Sequence, residues 1–137
     1  MAYTGGDILE ITYNHPTVGA GTIYCKSNES GTIDPGGYRS EDDANLVTGA
    51  GELIDQMNRV RSSFETPPIA WDMTDRDEIV NLADMAASPV LGDWTINHLN
   101  GKVWAGKGKP VGDINGDTNT ALITLKLAFT NKLKPIT

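Results

Sequence analysis

"DWTINHLNGKVWAG", residues 93–106, decides how the rest of the chain is read. Trp94, Ile96 and His98 alternate with Asp93, Thr95 and Asn97, the period-two pattern of a strand with one buried face. Asn100-Gly101 follows, a pair that tolerates positive φ and gives the strongest short hairpin signal, and "KVWAG" then resumes the alternation. Downstream, "ALITLKLAF" (121–129) repeats the pattern, with Ile123, Leu125, Leu127 and Phe129 inward and Thr124 and Lys126 outward. Upstream, "DILEITY" (7–13) sets Leu9, Ile11 and Tyr13 on one face and Glu10 and Thr12 on the other, and "GTIYCKS" (21–27) makes a further short strand. Half-buried antiparallel strands of this kind build a mainly β fold, an antiparallel β-barrel or sandwich.

One flanking α-helix is expected. Thr74 or Asp75 can cap it, Asp75 and Glu78 have capping-box spacing, and Ile79, Leu82, Ala83 and Ala86 form one apolar stripe that ends at Ser88-Pro89. The acids of its first turn suit the helix dipole, a structural reading that leaves no need for catalysis. Between them and Gly49, "ELIDQMNRVRSSFE" reads as a strand from about Met57, with Val60 and Phe64 on one face and Arg59, Arg61, Ser63 and Glu65 on the other. Pro67-Pro68 stops it, and "IAW" resumes the pairing.

Residues 27–51, "SNESGTIDPGGYRSEDDANLVTGAG", show little periodicity and read as one long loop. Loops of this length inside a compact domain are usually functional or disordered. Tyr38, Leu46 and Val47 are too apolar for a plain linker, so ordering against a neighbouring subunit is expected.

The chain has 137 residues, enough for one domain that buries roughly two-thirds of its unfolded surface. No run is long and apolar enough for a membrane-spanning helix. Residues 1–7 lack the basic and apolar regions of a secretion signal, which predicts retention in the cytoplasm unless another machine exports the protein. The single cysteine, Cys25, reads as a small buried hydrophobe. A net charge of −7 opposes a duplex-binding surface. Residues 1–98 hold sixteen acids and five bases, residues 99–137 two acids and six bases. Such a split invites head-to-tail contact between copies, although solvated charges also fall this way by accident.

Catalytic chemistry finds little support. His15 precedes Pro16 in a turn, and His98 reads as a core histidine beside Trp94 and Ile96. No cysteine or histidine cluster has zinc spacing, and no nucleophile elbow is present. "GKGKPVG" (106–112) fails as a phosphate loop because Pro110 follows Lys109. "GDINGDTNT" (112–120) places Asp113, Asn115, Asp117 and Asn119 at every second position, yet it lacks the glycine and bidentate glutamate of an EF-hand loop. Turn chemistry accounts for it. No enzyme activity, metal or cofactor is expected.

From "WTINHLNGKVWAGKGKPVGDINGDTNTALITLKLAFTNKLKPI" onward the ending resembles that of the major tail tube proteins of long-tailed bacteriophages. There a hairpin carries a Gly-rich connection, here residues 106–113, into a "D-T-N-x-A-x-I-x-L-K-L" last strand, here residues 117–127. "DPGGY" (34–38), "VTGAGE" (47–52), "WD" (71–72) and the helix follow the same order, so the likeness covers most of the chain from about Asp34. Related folds occur in tailocins and in the Hcp-type tube of type VI secretion.

The resemblance implies a single tail-tube-like domain over residues 1–137, with a long assembly loop around 27–51. Six copies form a ring, rings stack into a hollow tube in the virion tail, and assembly takes place in the host cytoplasm. The implied partners are further copies, the tail sheath or terminator, baseplate or initiator proteins, and a tape measure protein inside. DNA passes through without specific binding and no membrane is engaged. Implied inter-subunit contacts fall on Asp34, Gly36, Gly37, Tyr38, Arg39, Glu41, Asp42 and Asp43 of the loop, and on Lys107, Lys109, Asp113 and Asp117 before the last strand. Glu10, Thr12, Arg59, Arg61, Thr95, Asn97, Thr124 and Lys126 point off the apolar faces and are candidates for the lumen or outer wall. The alternative is a soluble β-sandwich module that binds a ligand through Trp71, Trp94 and Trp104, with calcium on Asp113 and Asp117.

Overall fold

A computed structural model describes residues 3–136; Met1 and Ala2, part of the stretch read for a secretion signal, lie outside the described residues. In chain order the elements are β1 (Ile8–His15), β2 (Gly19–Ile23), β3 (Thr32–Asp34), β4 (Gly37–Ser40), β5 (Met57–Val60), β6 (Ser62–Glu65) and β7 (Ile69–Ala70). Then come α1 (Glu78–Ala87), β8 (Gly92–His98), β9 (Val103–Pro110), β10 (Asn115–Asp117), β11 (Leu122–Thr124) and β12 (Lys126–Pro135). Seven strands form one antiparallel sheet in the order β2-β1-β8-β9-β12-β6-β3. A second sheet, β10-β11-β7, makes the arrangement sandwich-like rather than a closed barrel, and β4 pairs with β5 alone.

The β8–β9 hairpin forms as its alternation requires, with Trp94 and Ile96 buried and His98 half-buried. Its turn is one residue longer than an Asn-Gly pair alone demands. The N–H of Gly101 donates to the His98 carbonyl at 3.0 Å, His98 N–H donates to Lys102 O at 2.9 Å, and Gly101 takes φ 90°. Leu99 and Asn100 therefore sit at the centre, and glycine supplies the left-handed residue that rejoins the strands.

Three local irregularities redirect side chains. In β1, Ile8 faces His98 while Glu10 faces Asn97, a bulge that inserts one extra residue. Ile8 is buried and Leu9 is 50% exposed, so the alternation that places Leu9 inward holds only from Ile11 onward. The last strand divides at Leu125: β11 belongs to the small sheet and β12 to the large one. Thr66 closes that corner, donating from its N–H at 3.3 Å and its Oγ1 at 3.2 Å to the Leu125 carbonyl. β12 also runs past Phe129 to Pro135; the register shift around Asn131, at φ 60°, inserts an even number of residues, so Phe129 and Leu133 stay on the same core face.

The expected strand from Met57 likewise breaks at Arg61, leaving β5 outside the large sheet and β6 within it. α1 begins at Glu78, two residues later than capping by Asp75 requires. Its N-cap, Asp77, adopts φ 44° and uses its carboxylate to accept the Trp71 Nε1 proton at 2.9 Å. Glu78 folds back to accept the Asp72 N–H at 2.7 Å and is buried with Leu82 and Met85, while Ala83 is exposed. The core of Ile11, Phe64, Ile69, Leu82, Met85, Trp94, Ile96, Ile123 and Leu127 lies between the sheets and the helix.

Candidate functional site

Residues 27–51, expected as one loop, instead contain β3, β4 and half of a projecting hairpin arm. The arm starts where Asp34-Pro35-Gly36-Gly37 turns the chain off the large sheet. Gly36 takes φ 72°, and a Cβ there would lie 2.6 Å from Ser62 N and 2.8 Å from Val60 O, so only glycine fits. The Asp34 carboxylate accepts the Gly36 N–H at 3.0 Å and both guanidinium nitrogens of Arg39, Nη1 at 3.1 Å. Arg39, then Gly36, holds the Asp34 carboxyl below its usual range.

β4 and β5 pair from Gly37↔Val60 to Ser40↔Met57, and Arg59 lies 4.9 Å over the Tyr38 ring centroid. Hydrogen bonding continues beyond them: Glu41 N–H to Gln56 O at 2.7 Å, Ile54 N–H to Leu46 O at 2.8 Å and Thr48 N–H to Glu52 O at 2.8 Å. Gly51, at φ 89°, closes the tip. Val47, Leu53 and Ile54 are exposed there, Leu53 at 79%, because a two-stranded ribbon has no second layer to cover them.

Between the base of the arm and β12 lies a cleft of about 1000 Å³. Arg59 and Arg61 come from the arm side, Lys132 and Lys134 from β12 and Lys109 from β9. Lys109 Nζ donates to Ser88 O at 3.2 Å. Lys132 and Lys134 were not among the residues singled out from the sequence. The alternation Lys132-Leu133-Lys134 continues that of Lys126-Leu127 in phase, because the register shift around Asn131 inserts an even number of residues, so both lysines fall on the face opposite Leu127, Phe129 and Leu133.

Register partners across a sheet share a face. Thr12 pairs with Thr95, Glu10 with Asn97, Asp93 with Lys107, Lys107 with Thr130, and Lys109 with Ala128. Glu10, Thr12, Thr95 and Asn97 therefore lie on the same wet face as Lys107 and Lys109, four strands wide. Asn97 Nδ2 donates to Glu10 Oε1 at 2.9 Å, and the Thr12 and Thr95 hydroxyls hydrogen-bond to each other. This face is acidic and polar along β1–β8, where Glu10 and Asp93 stand, and cationic along β9–β12 beneath the arm.

Lys126 continues this face along β12, outside the cleft, and the remaining residues lie elsewhere. Asp113, Thr124 and Lys126 border a smaller cavity of about 360 Å³, and Lys126 Nζ is 3.6 Å from Glu65 Oε1. Asp117 accepts the N–H groups of Asn119 at 2.9 Å and Thr120 at 3.3 Å, which hold its carboxyl below the usual range and spend it on its own turn. Among the described residues no group of three or more His, Cys, Asp or Glu side chains could hold a metal ion.

The "GKGKPVG" stretch is strand rather than connection as far as Pro110. A Cβ on Gly108 would lie 2.1 Å from Ala128 O, and the Gly108 carbonyl accepts the buried Trp94 Nε1 proton at 3.0 Å. Gly106 and Gly108 thus serve close packing, while Gly112 takes φ 69° with nothing near its Cβ position. The three tryptophans do not share a surface: Trp94 is in the core, Trp71 anchors the start of α1, and Trp104 is half-buried edge-on to His98.

His15 is buried, its Nε2 3.0 Å from Val90 O and its Nδ1 accepting the N–H groups of Thr17 and Val18. It pins a turn to the segment after α1. Cys25 is half-buried, and burial pushes its thiol up to about 12. Among the described residues no helix is long and apolar enough to cross a membrane. Neither family models nor curated proteins yield a match to this chain.

Proposed function

We propose that the chain is the structural subunit of a phage-type tail tube, six copies to a ring and rings stacked into a conduit for DNA. The observation that carries this reading is the folded arm, whose exposed Val47, Leu53 and Ile54 have no core of their own. Apolar side chains held out on an ordered hairpin are stabilised by a neighbouring surface. The open edges of the large sheet, β2 and β3, are a second demand for neighbours, since unpaired edges are otherwise a route to aggregation. The likeness of the C-terminal third to tail tube proteins supplies the class of assembly.

In this reading the β1–β8 half of the wet face lines the bore. Glu10 and Asp93 repel phosphate there, so DNA slides rather than sticks. The tube belongs to the virion tail, is built in the host cytoplasm on baseplate or initiator proteins, is covered by a sheath or closed by a terminator, and encloses a tape measure protein. It performs no catalysis. Sedimentation across a concentration series tests the stoichiometry: six-copy species and longer stacks are expected. Monomer at every concentration, with the chain also missing from isolated tails, contradicts the reading.

A further inference from the structure

The charges of this chain sort in space more sharply than along the sequence. The ion pairs among the described residues use Lys26, Arg39, Arg76 and Lys126. None uses Arg59, Arg61, Lys109, Lys132 or Lys134, and these five share one cleft that no described carboxylate lines. In a protein of net charge −7, like charges gathered in a concavity raise a positive potential that an anionic partner relieves.

The complementary surface is on the arm. Residues 41–56 carry Glu41, Asp42, Asp43, Glu52 and Asp55 and no base. All five are exposed and none enters an ion pair. The arm springs from the wall of its own cleft at Gly37 and Tyr38, and its acidic tip lies beyond the four paired residues of β4.

We propose that the acidic arm tip of one copy docks in the cationic cleft of the next, head to tail. This rests on the reading of the chain as a self-assembling subunit and names the surfaces that meet. Apolar character matches as well as charge: Val47, Leu53 and Ile54 of the tip meet half-buried Val60, Leu91 and Val111 of the cleft, inside a charged rim. A cleft of about 1000 Å³ reaches the upper end of the range for small-ligand pockets (~300–1,000 Å³). Because donor and acceptor surfaces differ, the contact is heterologous and propagates from copy to copy. It also covers these five cations, which a polyanion would otherwise meet.

Charge reversal tests the pairing. Lys132→Glu with Lys134→Glu, or separately Asp42→Lys with Asp43→Lys, should weaken self-association by about tenfold or more. Mixing the two variants should restore it, as should all four substitutions in one chain, a recovery that misfolding cannot imitate. Association of the native protein should fall between 0.1 M and 1 M salt, as the screening length shrinks from ~10 to ~3 Å. Native-like tubes from both two-site variants would overturn the docking and leave the tube reading standing. A native protein that never assembles would overturn both. If a single-stranded oligonucleotide binds the native protein, is lost on reversing Lys132 and Lys134, and assembly is unchanged, the cleft takes nucleic acid and the arm does not fill it.

Discussion

Asp34 is the residue on which the arm turns, because one carboxylate holds both the Gly36 N–H of the reversal and the Arg39 guanidinium of β4. Its folded pKa is depressed, so its contribution to the arm is present above the unfolded value of about 3.9 and is lost as pH falls through the lower folded value. The group is largely solvated, so the effect is local rather than global. Amide exchange read by NMR should show Gly36 and Arg39 losing protection below about pH 4, while core amides such as that of Ile96 keep theirs. Asp34→Asn should remove this pH dependence; equal protection of Gly36 across the acidic range in the native protein would show that the carboxylate does not hold the turn. Asp, Pro and two glycines announce a turn in the sequence. That the turn launches an arm was not legible, because it depends on Gly36 lying against Ser62 and Val60, residues more than twenty positions away.

At the scale of elements, the arm and the sheet are separable. Replacing residues 41–56 by a two-residue Asn-Gly turn between Ser40 and Met57 removes exposed hairpin and no core side chain. Thermal unfolding should therefore stay cooperative and shift stability by less than ~1 kcal/mol, while assembly is abolished. A truncated protein that still builds normal tubes would show that the arm is not an axial contact.

The same separability explains which elements the sequence revealed. The β8–β9 hairpin, the inward side chains of residues 123–129 and Leu82 of α1 follow from period, whereas the rest of the helix stripe is displaced, with Glu78 and Met85 buried and Ala83 exposed. Leu9 and Arg61 mark the places where period fails. A bulge and a departure from the sheet there are set by partner strands, so local alternation carries no trace of them. β3 and β4 were hidden for a related reason: short edge and arm strands bury too little to impose a pattern. For the site, the arm-base residues and Arg59, Arg61 and Lys109 were visible as charged or turn-forming positions. Their meeting with Lys132 and Lys134 was not.

Across the whole molecule, one wet sheet face changes sign from β1–β8 to β9–β12, and the two halves have different duties in the proposed tube. The acidic half faces DNA, and the cationic half is covered by the next copy. Glu10→Lys puts a cation on the bore face at the cost of the Asn97–Glu10 hydrogen bond and touches no core side chain; tails carrying it should assemble normally and eject DNA more slowly. Unchanged ejection from intact tails would show that charge on this face does not govern passage. The most direct test of the central claim is electron microscopy of the concentrated protein. The account predicts tubes whose end-on views show six-fold rings around an open bore. Small, compact particles under all conditions, with no tube containing this chain in a tail preparation, would contradict it.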